Sequence, residues 1–114
     1  MITATAGRAN VSVTSGAAVD LLSTSSAGVA IPRAFSWTLC VTTSQNITVA
    51  VSIAAGPNCG FVQVSGWTST VTAAAPLVLQ VSEYPASQIR VQAIAASTTA
   101  TVNCDFLAQS SSVN

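Results

Sequence analysis

The sequence contains no lysine and no histidine, and its three arginines (Arg8, Arg33 and Arg90) are balanced by Asp20, Glu83 and Asp105. Charged residues make up 5% of the chain, against roughly 25% in an ordinary soluble domain. Three scattered arginines build no basic patch, so neither a nucleic acid nor an anionic membrane surface is an expected partner. Without histidine there is no Ser–His–Asp or Cys–His arrangement, and three cysteines with no C-x-x-C pair are too few ligands for a structural zinc site. The carboxylates stand in three separate regions, which does not make the paired acid and base of a hydrolase. No glycine-rich loop opens a helix to cradle phosphate. The expectation is a protein that is not an enzyme and takes no cofactor or metal.

Long apolar runs are missing too. Half of the residues are apolar, yet a membrane-spanning helix needs about 20 such residues in a row. The most apolar stretch, Val71 to Val81, is broken by Thr72, Pro76 and Gln80. Aromatics are 5% of the chain, too sparse for the aromatic girdles of a transmembrane barrel. The opening Met1-Ile2-Thr3-Ala4-Thr5-Ala6-Gly7-Arg8 has no basic start followed by an apolar region, so no secretory signal is read there. Either the protein is made and used in the cytoplasm, or such a segment was removed ahead of this sequence; no membrane is an expected partner.

What the chain does have is alternation. Phe35, Trp37, Leu39 and Val41 share one phase, with Ser36, Thr38, Cys40 and Thr42 on the other. Ile47, Val49, Val51 and Ile53 repeat the pattern, as do Leu77, Leu79 and Val81, then Ile89, Val91 and Ala93, then Ala100, Val102, Cys104 and Phe106. Successive side chains of a strand point to opposite faces, so each run has one buried and one wet face. Val, Ile and Thr dominate, as a pleated, half-buried surface favours. Gly28 with Pro32, Gly56-Pro57-Asn58, Gly66, Pro76, Tyr84-Pro85 and Ala96-Ser97-Thr98 punctuate the runs. Their spacing of roughly 8–12 residues is the rhythm of an antiparallel sandwich.

The expected fold is therefore all-β: an antiparallel β-sandwich, jelly-roll or immunoglobulin-like, of about eight strands in one domain spanning 1–114. Strands are predicted near 10–14, 17–22, 35–43, 46–54, 60–65, 68–73, 76–82, 88–95 and 99–108. A hairpin joins 46–54 to 60–65 through Gly56-Pro57-Asn58-Cys59-Gly60, and a second is expected between the last two strands through Ala96-Ser97-Thr98. Residues 1–9 and 109–114 read as loose ends or as arms exchanged between subunits. Cys40, Cys59 and Cys104, odd in number and far apart, read as buried or semi-buried free thiols.

Two aromatic residues are candidate contacts for a ligand or a subunit. Trp67 follows Gly66 at an expected strand boundary, where it is either an exposed platform for a sugar or interface, or a rim residue closing the sandwich. Tyr84 stands in the Tyr84-Pro85 turn. The surface itself gives a further hint. A domain this poor in charge is weakly protected against association through its faces and edges, which makes sense if much of it is covered in the working state.

The block from Phe35 to Gln109 resembles small β-sandwich proteins of tailed-phage particles. The likeness lies in Phe35-x-Trp37-x-Leu39, in the hairpin from Val49-x-Val51-x-Ile53 through Gly56 to Phe61, in Tyr84-Pro85-Ala86-Ser87-Gln88-Ile89-Arg90-Val91, and in Thr101-x-Asn103-x-Asp105-Phe106-Leu107. It implies a virion structural protein assembled in the host cytoplasm: a capsid cement or decoration subunit, often trimeric, docked on the major capsid protein, or a tail or spike component. No functional residue of those proteins transfers to this chain. The alternative classes are a carbohydrate-binding or adhesin-like sandwich using Trp67 or Tyr84, and a pilus or surface-layer subunit.

Overall fold

A computed structural model describes residues 3–23, 29–30, 34–82 and 88–110. Among these the chain forms β1 (Thr3–Val13), β2 (Val19–Asp20), β3 (Val29–Ala30), β4 (Ala34–Thr43), β5 (Ile47–Ala54), β6 (Val62–Val71), β7 (Leu77–Ser82), β8 (Gln88–Ala95) and β9 (Ala100–Ser110), with no helix. All pairings are antiparallel. One sheet runs β1-β9-β4-β7 and the other β2-β8-β5-β6, with β3 also on β8. Because β2 and β3 follow one another along the same partner, nine strands fill eight positions.

The pairings nest. β5 meets β6, β4 meets β7, the β2–β3 pair meets β8, and β1 meets β9. This is one long hairpin, its tip at the β5–β6 turn, rolled so that successive pairs fall alternately into the two sheets. The expected β-sandwich is present, and of its two expected forms the topology is the jelly roll.

The alternation places the core as expected. Leu39 and Val41 from β4, Ile47, Val49 and Val51 from β5, Ile89 and Val91 from β8, and Val102 from β9 are fully buried between the sheets. Burial of each such side chain contributes about 1.5–3 kcal/mol. Trp37 lies at the centre of an aromatic group, its ring centroid 5.7 Å from that of Phe106 and 5.1 Å from that of Trp67.

Three expectations fail, each for a local reason. The last two strands do not form a hairpin. Both edges of β8 are already taken, one by β5 and the other by β2 and β3, so the chain crosses at 96–99 and β9 inserts between β1 and β4. The strands expected at 60–65 and 68–73 are one strand, β6, in which the four residues 64–67 stand opposite the single Val51; Gly66, at φ 91°, takes up the turn. Lastly, residues 3–9 and 109 are not loose, because β1 pairs with β9 from Thr3↔Gln109 to Val13↔Ala100.

Candidate functional site

The low charge directs attention to what the surface can do without ions, which is to present strand edges and small polar faces. The four edges of the two sheets differ in kind. On β1, Ala9 and Asn10 oppose only Asn103 of β9, a bulge in which Asn10 adopts φ 55° and its N–H donates to Asn103 Oδ1 at 2.9 Å. Just before it Gly7 sits at φ 150°, so close to β9 that a Cβ there would collide with the Cys104 carbonyl oxygen. Arg8 pairs with Cys104, on the inward phase, and Nη1 donates to the Asp20 carbonyl oxygen at 2.8 Å, tying the edge of one sheet to the other. A bulge and an inward-turned charge both deter another strand from adding to that edge.

The edge formed by β6 is broken by the four-residue bulge, and the remaining edge of that sheet is split into the two-residue strands β2 and β3. The β7 edge is different. Six consecutive residues, Leu77 to Ser82, match Ser36–Val41 of β4 without a shift in register. Thr72 and Ala75 exchange backbone hydrogen bonds just ahead of it, and Thr72 Oγ1 also accepts from the Ala75 N–H at 3.1 Å. Among the described residues the outer side of β7 meets no strand.

The face beside this edge follows from register. Val78, Cys40 and Asp105 form one row, and Gln80, Thr38, Leu107 and Thr5 the next. Val78 is 62% exposed and Leu107 41% exposed. Small polar and apolar side chains carry this face, and Asp105 brings it a charge.

The candidate residues fall as follows. Trp67 comes off the β6 bulge and packs, half-buried, against the core, its ring perpendicular to Trp37 on the opposite sheet. Tyr84, Glu83 and Arg33 lie outside the described residues, and so does the side chain of Phe35. Cys104 is buried in the core, and Cys40 is half-buried on the outer face of the same sheet. Since Val41 pairs with Cys104 and Cys40 with Asp105, the two thiols point to opposite sides and cannot bridge. Cys59 stands in the β5–β6 turn as expected, but it is exposed rather than at least partly buried, because the turn lies outside the strands that hold the other two thiols. Burial pushes the Cys104 thiol up from its ordinary 9.0 to about 12, with Asp105 and Cys40 adding to the shift, so it is held as an inert neutral group.

Two features were not visible in the residue pattern. Arg90 lies with Cζ 4.6 Å from the Phe61 ring centre, a cation–π contact that fastens the end of the β5–β6 turn to a sheet face. Arg8 as an inward tie is the other. Asp20 and Asp105 stand on different sheets, and no group of three or more His, Cys, Asp or Glu is placed to hold a metal among the described residues. No described helix is long and apolar enough to cross a membrane.

No protein-family model matches the chain, and no curated protein matches its sequence. Among solved structures it is similar to a chain of the Bacillus endospore appendages, which form disulfide-linked pili, with a TM-score of 0.58 and 11% identity over 97% of this chain and 88% of that one. It is also similar to the N-terminal cellulose-binding domain of β-1,4-glucanase C from Cellulomonas fimi, with a TM-score of 0.47 and 17% identity over 98% and 90% of the two chains. At such identities the likeness is one of fold: these are small β-sandwich domains, one from a pilus and one a carbohydrate-binding module.

Proposed function

We propose that this chain is a non-enzymatic structural subunit that works covered by other protein, in an assembly of many copies. One observation carries the reading. In a chain with so few charges, the regular β7 strand has no partner on its outer edge among the described residues, beside a face of Val78, Cys40, Thr38, Leu107 and the single charge of Asp105. An unpaired edge of this kind is a hazard for a free monomer and an asset for a subunit. Small neutral side chains also desolvate at low cost when two such surfaces meet.

Two likenesses support two forms of the assembly. The sequence resemblance supports a phage virion, with the chain as a cement or decoration subunit on the major capsid protein. The fold shared with an appendage that forms pili supports a fibre built from the chain itself. We take the virion as the leading form, with assembly in the host cytoplasm.

Negative-stain imaging and light scattering of the purified chain, alone and mixed with intact phage shells, test the proposal. The expected result is multi-copy species or saturable binding to shells. A chain that remains monomeric at every concentration, ignores shells and binds glycans on an array would overturn it in favour of a carbohydrate module.

A further inference from the structure

We infer that β7 is a self-pairing edge: β7 of one copy lies antiparallel to β7 of a second, joining two four-stranded sheets into one continuous sheet across a twofold axis. The inference rests on the reading of the chain as an assembly subunit, and it names the surface and the partner.

An edge strand exposes alternate N–H and C=O groups that only another extended strand can satisfy in series. The occupant must therefore offer a regular run of backbone as long as the six residues of β7. Within this molecule β1 runs in register for the six residues Thr3 to Arg8, but that run ends in the inward-turned Arg8 and the Ala9–Asn10 bulge; β6 is interrupted at 64–67, and β2 and β3 are two residues each. Among the described edges, β7 alone has an unbroken register, so the strand in a second copy that matches it is β7 itself.

Charge favours the same occupant. Thr72 to Ser82 contains no ionisable side chain, so a partner of opposite sign has nothing to grip there. Two identical strands of this kind approach without repulsion. A twofold axis is the symmetry that sets one patch against itself, whereas a threefold closure needs two unlike patches that fit each other. The trimer implied by the phage resemblance would therefore need a different surface. Val78, 62% exposed on its own copy, gains a cross-strand neighbour on its outer flank in the new ladder.

The test uses the full chain in a sedimentation series over protein concentration. Unaltered protein should shift from monomer to dimer as concentration rises. The pair Val78→Lys/Gln80→Lys sets like charges across the twofold and should weaken dimerisation by about tenfold or more. Ser12→Lys/Thr14→Lys, at the bulged edge, should leave it unchanged. Hydrogen exchange on the unaltered chain gives a second readout that needs no variant: slowing with concentration should fall on 77–82 and not on 62–71. Dimers that ignore the β7 lysines, with protection elsewhere, would overturn the β7 edge and leave the subunit reading standing. A chain that is monomeric throughout would overturn self-pairing, and the shell-binding experiment then decides the subunit reading separately.

Discussion

The sheet that carries Trp37 ends in two strands that share a chemistry and differ in geometry. β1 and β7 are both built from small polar and aliphatic residues, and each pairs antiparallel with a strand of the interior. β1 departs from the ladder at Ala9–Asn10, comes too close at Gly7 for any side chain, and turns Arg8 into the sandwich. β7 does none of these things. The difference teaches that composition does not decide which edge is left open. In a chain with almost no charge to spend on edge protection, backbone irregularity takes over that task, and its absence on β7 becomes the informative feature.

Substitutions can break this contrast, and the largest effect belongs to Gly7. Gly7→Ala would press a methyl group onto the Cys104 backbone carbonyl, which has no flexible side chain to move aside, at a φ of 150° that alanine resists. The expected loss is about 3 kcal/mol or more in urea unfolding, as the β1–β9 ladder opens. Alkaline pH should strain the same region from inside. The Cys104 thiol is neutral in the fold up to about 12, whereas in the unfolded chain it ionises near 9.0. Its contribution is therefore intact below pH 9 and is lost as pH rises through that window, with a slope approaching about 1.4 kcal/mol per pH unit. Chemical denaturation at stepped pH measures it, and Cys104→Ala should flatten the dependence.

Smaller effects sharpen the comparison. Asn103→Ala removes the acceptor for the Asn10 N–H and should cost about 1 kcal/mol, with faster hydrogen exchange confined to the bulge. Val78→Thr on the open edge should change monomer stability by less than about 0.5 kcal/mol in a thermal melt, because the side chain already faces water. A thiol-labelling time course should show Cys59 modified first and Cys104 last in folded protein, with the difference vanishing in denaturant.

The fold class was legible because the alternation in 35–43, 46–54, 88–95 and 99–108 is nearly unbroken, and burial follows its phase. The arrangement was much less so. In β1 the bulge switches the inward phase from Ala6 and Arg8 to Val11 and Val13, so the period-2 signal cancels and the segment reads as a loose end. Gly66 looks like a boundary between two strands because a bulge and a turn ask the same of the backbone. A connection as short as 96–99 serves equally for a hairpin or for a crossing between sheets, and only the occupancy of both edges of β8 decides for the crossing. The candidate site follows the same rule. Trp67 stands out as a large aromatic residue, yet its packing on Trp37 depends on how far apart the sheets lie. That β7 is an edge belongs to topology alone, since its six residues are no different in kind from those of a central strand.

The nesting of the pairs also sets a timetable. β9, made after every other described strand, inserts between β1 and β4, which were made long before it, so the pair that starts with β1 waits for a strand about 90 residues further on. Contacts this distant in sequence are slow to form. Until β9 arrives, β4 lacks the neighbour on that side and β1 lacks its partner altogether. During synthesis the nascent chain therefore exposes edges that the finished molecule hides, in the period when copies on neighbouring ribosomes are crowded together. The bulge and the inward arginine of β1 take shape only when β9 arrives, so they guard the finished molecule and leave the nascent chain to its speed of folding.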